Sequence, residues 1–395
     1  MSRFRSLALL PAALLLGGCN MVVLAPSGDV AVQQRDLIIV STVLMLLVIV
    51  PVMALTVLFA WRYRHTNKAA NYQPDWDHST QFELVIWAAP LLIIICLGAV
   101  TWMGTHLLDP YRPLDRLASG QPVTQEMAPL RVEVVALDWK WLFIYPDYGI
   151  ATVNELAAPV DRPIDFSITS SAVMNSFFIP ALAGQIYAMP GMQTKLHAVI
   201  NKPGTYEGFS ANYSGAGFSQ MKFAFHGMSN ADFETWTADG KKAEGELDRA
   251  TYLQLEQPSE NAPVQRFASV DPDLYRRILN RCVEPGKMCM SEMMAIDAKG
   301  GLGMAGIYNV LPLEYDKYRR RGSVLGTEPG YVASICTPEE AAAMMASRSL
   351  PASVPAGAPL TGSGLRLPGT IVPGFTPARV PSLSLLTGER QPTNS

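Results

Sequence analysis

The hydrophobic pattern divides the chain before any motif is read. Residues 37–61 run without a charged side chain, closed by Asp36 on one side and by Arg62, Arg64 and Lys68 on the other. Residues 84–105 form a second such run, between Glu83 and His106. Each is long enough for one transmembrane helix. Pro51 and Pro90 fall inside the runs, which membrane helices tolerate, and Trp61, Trp87 and Trp102 lie near the predicted ends, where indoles favour the interface. The pattern predicts a helical hairpin joined by residues 62–83.

Beyond His106 the period changes from helical to two. Leu130 to Ala136, Ile164 to Thr169 and Thr194 to Ile200 alternate apolar and polar residues, with turn signals such as Asn201-Lys202-Pro203-Gly204 between them. Strands at this spacing predict a small sandwich or barrel of about a hundred residues. Helical patterning returns near Ala231 to Thr237 and at Asp273 to Asn280. Trp139, Trp141, Phe143 and Tyr145 occupy alternate positions, so an extended strand would put all four rings on one face. Two roles stand open for them: filling the sandwich core, or forming a docking and electron-entry face toward a membrane partner.

Composition agrees with a membrane protein. The 395 residues are 49% hydrophobic and 16% charged. A net charge of -3 with no basic surface argues against nucleic-acid binding. The N-terminus reads as a targeting segment: Arg3 and Arg5 precede a short apolar run from Leu7 to Leu16. It ends in Leu16-Gly17-Gly18-Cys19, a lipobox-like sequence that predicts cleavage after residue 18 and lipidation at Cys19. The positive charges of the 62–83 loop place it in the cytoplasm. Cys19, residues 19–36 and everything after His106 then lie outside, in agreement with the export signal.

Three stretches resemble the second subunits of haem-copper terminal oxidases. They are Asp138-Trp139-Lys140-Trp141 with Phe143, the run Ser170 to Pro180 around Asn175, and the loop from Gly208 to Met221. With the lipobox and hairpin, the likeness runs from the N-terminus to roughly Trp236, and the cytochrome bo-type ubiquinol oxidase branch is the nearest. It implies a membrane α-helical hairpin (37–61 and 84–105), an all-β cupredoxin-like periplasmic domain (106–237) and a partly helical C-terminal extension (238–350). Residues 351–395, rich in Pro, Gly, Ser and Thr, predict a disordered tail.

In cytochrome c oxidases the loop reads Cys-x-x-x-Cys-x-x-x-His-x-x-Met, with a further histidine upstream. Two thiolates bridge two copper ions, and imidazoles and a thioether complete their spheres. Aligning on Gly208, Gly215 and Met221 puts Ser210 and Ser214 at the cysteine positions, Phe218 at the loop histidine and Asn175 at the upstream histidine. Asn212 replaces the acidic residue that ligates through its main-chain carbonyl. Only Met221 survives as a ligand type, so no cofactor or metal is expected in this chain. The resemblance implies that haems, copper and the quinol site belong to subunit I, with this chain a non-redox structural and assembly subunit in a bacterial inner membrane. Its expected partners are subunit I, the other oxidase subunits and membrane lipid.

A few other residues could carry chemistry. Glu83, at the cytoplasmic start of the second span, is either a proton-collecting acid for an uptake channel, as the family implies, or an interfacial acid at a helix N-terminus. His78 reads as a surface loop residue. Cys282 and Cys289 bracket Glu284-Pro285-Gly286 with Met288, Met290, Met293 and Met294 nearby. A disulfide is the leading expectation in an oxidising compartment, leaving Cys336 over unless the pairing involves it. A soft Cu(I) site of thiolates and thioethers is the alternative. Cys96, inside the second span, reads as packing, and His197 and His226 as structural histidines off the copper positions. The five cysteines form no CxxC pair. Two rivals remain to be weighed. A copper-carrying second subunit requires cysteines at 210 and 214 and histidines at 175 and 218, and a free-standing cupredoxin lipoprotein needs no acid at 83.

Overall fold

A computed structural model describes residues 21–71, 73, 75–124, 127–301, 310–312 and 330–332. The expected targeting segment, Cys19, Cys336 and residues 351–395 lie outside the described residues.

Two helices, α1 (Asp29–Arg62) and α2 (Thr80–Leu107), are long and apolar enough to cross a membrane. No side chain of α2 is buried within the chain, so its apolar surface needs lipid or another protein around it. The helices exceed the apolar runs at both ends. The larger difference is at residues 29–36, expected as a simple exported segment, where α1 extends two turns beyond the uncharged run. Those turns are held by the β domain instead of lipid. Asp29, Val30 and Ala31 are buried there, and Asp29, 5% exposed, accepts from Arg116 Nε at 2.8 Å and Gln33 Nε2 at 2.7 Å. A hydropathy window reads this polar stretch as loop because its partner is one patch of protein.

The domain beyond α2 is built from two facing sheets. The first contains β1 (Leu130–Leu137), β2 (Lys140–Tyr145), β3 (Ile150–Val153), β5 (Ile164–Ser170), β8 (Thr194–Ala198) and β11 (Gln265–Phe267), in the order β8-β5-β1-β2-β3-β11. The second contains β4 (Glu155–Pro159), β6 (Asn175–Phe178), β7 (Ile186–Ala188), β9 (Gly204–Ser210) and β10 (Lys222–Met228), in the order β4-β10-β9-β6-β7. Strands β1 and β5 run parallel, as do β4 and β10, and the remaining pairs are antiparallel.

Between the sheets lie Val132, Val134, Trp141, Phe143, Tyr145, Phe166, Phe177, Phe223 and Phe225. Trp141 and Phe143 have no exposed surface, so of the two roles left open for them they take the core: rings in the core of their own domain are out of a docking partner's reach. Phe177 and Phe223 stack at 5.5 Å with planes 5° apart, and Trp141 and Phe143 meet them edge-on or tilted. Truncating such a ring to Ala costs about 3–5 kcal/mol.

The other faces of β1 and β2 are buried too. Val135, Leu137, Leu142 and Ile144 pack under Leu247, Tyr252, Leu274, Tyr275 and Ile278 from the chain after residue 238. Strand β11 comes from the same stretch. The boundary expected at 237 is therefore no seam: the extension is an outer layer of the β domain and adds an edge strand to it. The helices α4 (Arg249–Leu255) and α5 (Leu274–Leu279) belong to this layer, whereas α3 (Asn230–Gly240) packs Phe233 and Trp236 against the inter-sheet core, and α6 (Met290–Asp297) follows with no buried side chain. Ser229 and Asp248 cap α3 and α4 by accepting the Asp232 and Thr251 amides.

Covering this face has an electrostatic consequence. Burial pushes the Glu133 carboxyl from 4.5 up to about 7, Arg131 opposing the shift and Asp147 adding to it. A folded chain that binds this proton more tightly than the unfolded chain loses stability as pH rises from about 4.5 to about 7, by about 3 kcal/mol, and is level above that. Thermal melting of the purified protein is expected to show Glu133→Gln gaining stability relative to wild type at pH 8 and nothing at pH 4.5. An equal difference at both values contradicts this assignment.

Candidate functional site

The residues that the resemblance singles out meet at one end of the β domain. Asn175 opens β6, Ser210 closes β9, and Met221 immediately precedes β10. Pairing of β9 with both neighbours sets their register: Phe209 lies opposite Phe178 and Lys222, and Ser210 opposite Phe177. The structure thus brings Asn175, Ser210, Asn212, Ser214 and Met221 to one loop cluster.

Hydrogen bonds tie the cluster together. Ser210 Oγ lies 3.1 Å from Asn175 Oδ1 and 3.3 Å from the Asn212 carbonyl, sharing its one proton between them. Asn175 Nδ2 donates to the Val173 carbonyl at 3.1 Å, and Asn212 Nδ2 to the Met174 carbonyl at 3.3 Å. The Ser210 amide donates to the Met221 carbonyl at 3.1 Å, and the Ala211 amide to that of Ser176 at 2.9 Å. Ser214 is buried, and its hydroxyl finds no partner among the described residues. Met221 is 1% exposed and belongs to the hydrophobic core. Phe218 sits in a 3-10 turn, its ring 5.7 Å from that of Tyr213, which stands 76% exposed.

Trp139 roofs the loop. The expected period of two breaks here: Trp139 precedes β2 in the two-residue turn between Leu137 and Lys140, with φ at 66°. A bulky side chain in this left-handed conformation is strained. Its contacts offset the strain, since Nε1 donates to the Ser214 carbonyl at 3.2 Å. The ring also lies on Gly217, where a Cβ would come within 2.6 Å of it. Trp139 is half-buried against the core, so the four alternating aromatics do not share one exposed face.

The extension holds this turn from the other side. Lys140, buried, donates through Nζ to the Gln257 carbonyl at 2.8 Å and to Ser259 Oγ. Burial lowers its pKa to about 8, with Asp138 opposing. Asn154 accepts the Trp141 amide at 2.9 Å and donates to the Ala262 carbonyl at 2.8 Å. Sequence reasoning missed these contacts. The only signal was the uninterrupted apolar run Trp141 to Tyr145, which fits a strand covered on both faces.

The remaining candidates lie elsewhere. Glu83 is in the first turn of α2, half-exposed, and its carboxylate meets His78 Nδ1 at 2.6 Å, so His78 is its partner. Cys282 and Cys289 are joined in a disulfide, which removes the thiolates needed by a Cu(I) site. His197 faces Asp165 at 3.8 Å and His226 faces Glu155 at 3.6 Å, away from the loop cluster.

Residues 148–228 match the family model for the cytochrome c oxidase subunit II periplasmic domain, and residues 241–286 match that for the COX aromatic rich motif. The second match corrects the expectation that likeness fades after Trp236. Cytochrome bo(3) ubiquinol oxidase subunit 2 of Pseudomonas putida is 53% identical over 268 residues, covering 68% of this chain and 82% of its own. Ubiquinol oxidase subunit 2 of Acetobacter aceti is 51% identical over 279 residues, covering 71% and 88%. Among solved structures, the periplasmic domain of cytochrome oxidase subunit II from Bradyrhizobium japonicum is 24% identical, with a TM-score of 0.28, and covers 29% of this chain and 95% of its own.

The two serines are expected to respond differently. Ser210→Ala removes a used hydroxyl and costs about 1 kcal/mol, whereas Ser214→Ala removes an unpartnered buried one and is neutral or stabilising. Gly217→Ala forces the Trp139 ring aside and costs about 1–3 kcal/mol. Melting curves of the three variants check the order, and a Ser214→Ala cost above that of Ser210→Ala contradicts it.

Proposed function

This chain belongs to the family of cytochrome bo(3) ubiquinol oxidase second subunits, and from that premise we propose that it is a non-redox subunit without a dicopper centre. The oxidase takes its electrons from ubiquinol through subunit I, where the haems, the catalytic copper and the quinol site reside. The observation that carries the proposal is the donor set at the loop cluster. A serine hydroxyl stays protonated near neutral pH and is a hard donor, so Ser210 and Ser214 do not replace bridging thiolates. The Asn175 amide is already bonded on both its polar atoms. Phe218 has no donor, and Met221 alone does not hold a metal pair. These residues do not fit a dicopper centre, and a complex lacking one needs a donor that reaches its haems from within the membrane.

The role left to this chain is to anchor, shape and stabilise its partners. The exposed apolar surface of α1 and α2 is where subunit I and lipid would pack. Arg62, Arg64 and Lys68 in the 62–83 loop support a cytoplasmic hairpin turn with the β domain in the periplasm. Lipidation at Cys19 would add a second attachment to the membrane. Glu83, paired with His78 at the cytoplasmic start of α2, would collect protons for uptake by subunit I.

Two measurements on the purified oxidase test these roles. It is expected to oxidise ubiquinol and to leave reduced cytochrome c untouched, and rapid cytochrome c oxidation overturns the proposal. Glu83→Gln is expected to slow quinol oxidation several-fold while leaving the haem spectrum and subunit content intact, with Glu83→Asp recovering part of the rate. Full activity of Glu83→Gln removes Glu83 from the proton route.

A further inference from the structure

A cavity of about 350 Å³ opens where the Asp29 end of α1 and the Leu107 end of α2 meet the β domain. It is a size that holds a small polar group. Gln33 and Gln34 line it four and three residues before the uncharged run that starts at Leu37. At 1.5 Å per residue that is about 4.5–6 Å outside the hydrocarbon, within the headgroup layer of a bilayer. Leu107 and Leu108, at the end of α2, line the opposite wall.

The outer wall is the linker from α2 to the barrel, and it is fixed in place. The Tyr111 amide donates to Asp109 Oδ1 at 2.9 Å and the Arg112 amide to the Asp109 carbonyl at 3.0 Å. The His197 amide donates to the Pro110 carbonyl at 3.2 Å, tying the linker to β8. The cavity is therefore preformed.

Its charges are unequal in availability. Arg116 is committed to buried Asp29. Arg112 meets Asp115 at 2.9 Å, but both side chains are well exposed, and such surface pairs are weak. The fork of Arg112 can therefore turn to a better anion. Asp109 stands three residues away with one carboxylate oxygen on the Tyr111 amide. With Arg116 held by Asp29, one cation (Arg112), two acids (Asp109 and Asp115), glutamine side chains and a leucine wall at headgroup depth match a zwitterionic head, its phosphate on the arginine and its ammonium among the acids, with its tails in the bilayer. A quinol headgroup carries no charge and would leave Arg112 and the acids unused, and an anionic headgroup would leave Asp109 and Asp115 unanswered.

We propose that this cavity binds the headgroup of a phosphatidylethanolamine molecule, its phosphate on Arg112 and its ammonium on Asp109. The lipid thereby fastens the hairpin to the β domain at the membrane surface. The inference rests on the membrane placement of the hairpin and is independent of the copper question.

The test is native mass spectrometry of the whole purified oxidase, washed in detergent and titrated with phosphatidylethanolamine or phosphatidylglycerol. Wild type is expected to retain one phosphatidylethanolamine that the double variant Arg112→Gln, Asp109→Asn holds roughly tenfold more weakly. Arg112→Lys, which keeps the charge, is expected to lose less. Unchanged haem content and subunit composition show that the variants fold. Equal retention by wild type and variant overturns the proposal, as does retention of phosphatidylglycerol in preference. Loss of a protein subunit with no change in bound lipid also overturns it, and assigns the cavity to a protein partner.

Discussion

The stack of Phe177 on Phe223 sets the distance at which the two sheets and their end loops can sit. Both rings belong to the second sheet and reach into the space that Trp141, Phe143 and Phe166 fill from the first. The stack requires Gly208 on the strand between them, where a Cβ would lie 2.1 Å from the Phe223 ring. Strands β6, β9 and β10 carry these rings and glycine in their interiors. They carry Asn175, Ser210 and Met221 at their ends. Core packing thus delivers the loop cluster as a consequence, whatever chemistry the loop residues have.

That separation lets a loop in this place hold its shape without ligand bonds to a metal, as the proposed function requires. In a copper-carrying loop, ligand bonds would fix the chain. Here the Ser210 hydroxyl, two asparagine amides and the indole of Trp139 make the corresponding ties. Each net hydrogen bond contributes only about 1 kcal/mol, so the loop depends on the extension that clamps the Trp139 turn from behind. Lys140 on Gln257 and Ser259 and Asn154 on Ala262 make that clamp. The extension is therefore part of the β domain's structure.

Much of this was legible in the sequence. Uncharged runs give the two spans because the bilayer selects on local composition alone. Alternation gives β1, β5 and β8 because each meets the core with one face. The candidate positions were readable because serine, asparagine and phenylalanine differ from cysteine and histidine in what they can donate. What escaped was decided by distant partners. The first turns of α1 are polar and look like loop until Arg116 meets Asp29. Trp139 matches a period of two yet turns back over Gly217, a conformation that only the loop beneath it sustains. Strand β11 is three residues long, and nothing in three residues tells that β3 will pair with it.

The proposed absence of metal from the loop cluster is tested by the copper content of the intact oxidase. Copper and haem iron are counted in the same preparation, together with its near-infrared spectrum. Copper matching the catalytic ion proposed for subunit I alone, with no near-infrared dicopper band, is expected. Two further copper ions per complex, accompanied by that band, would contradict it.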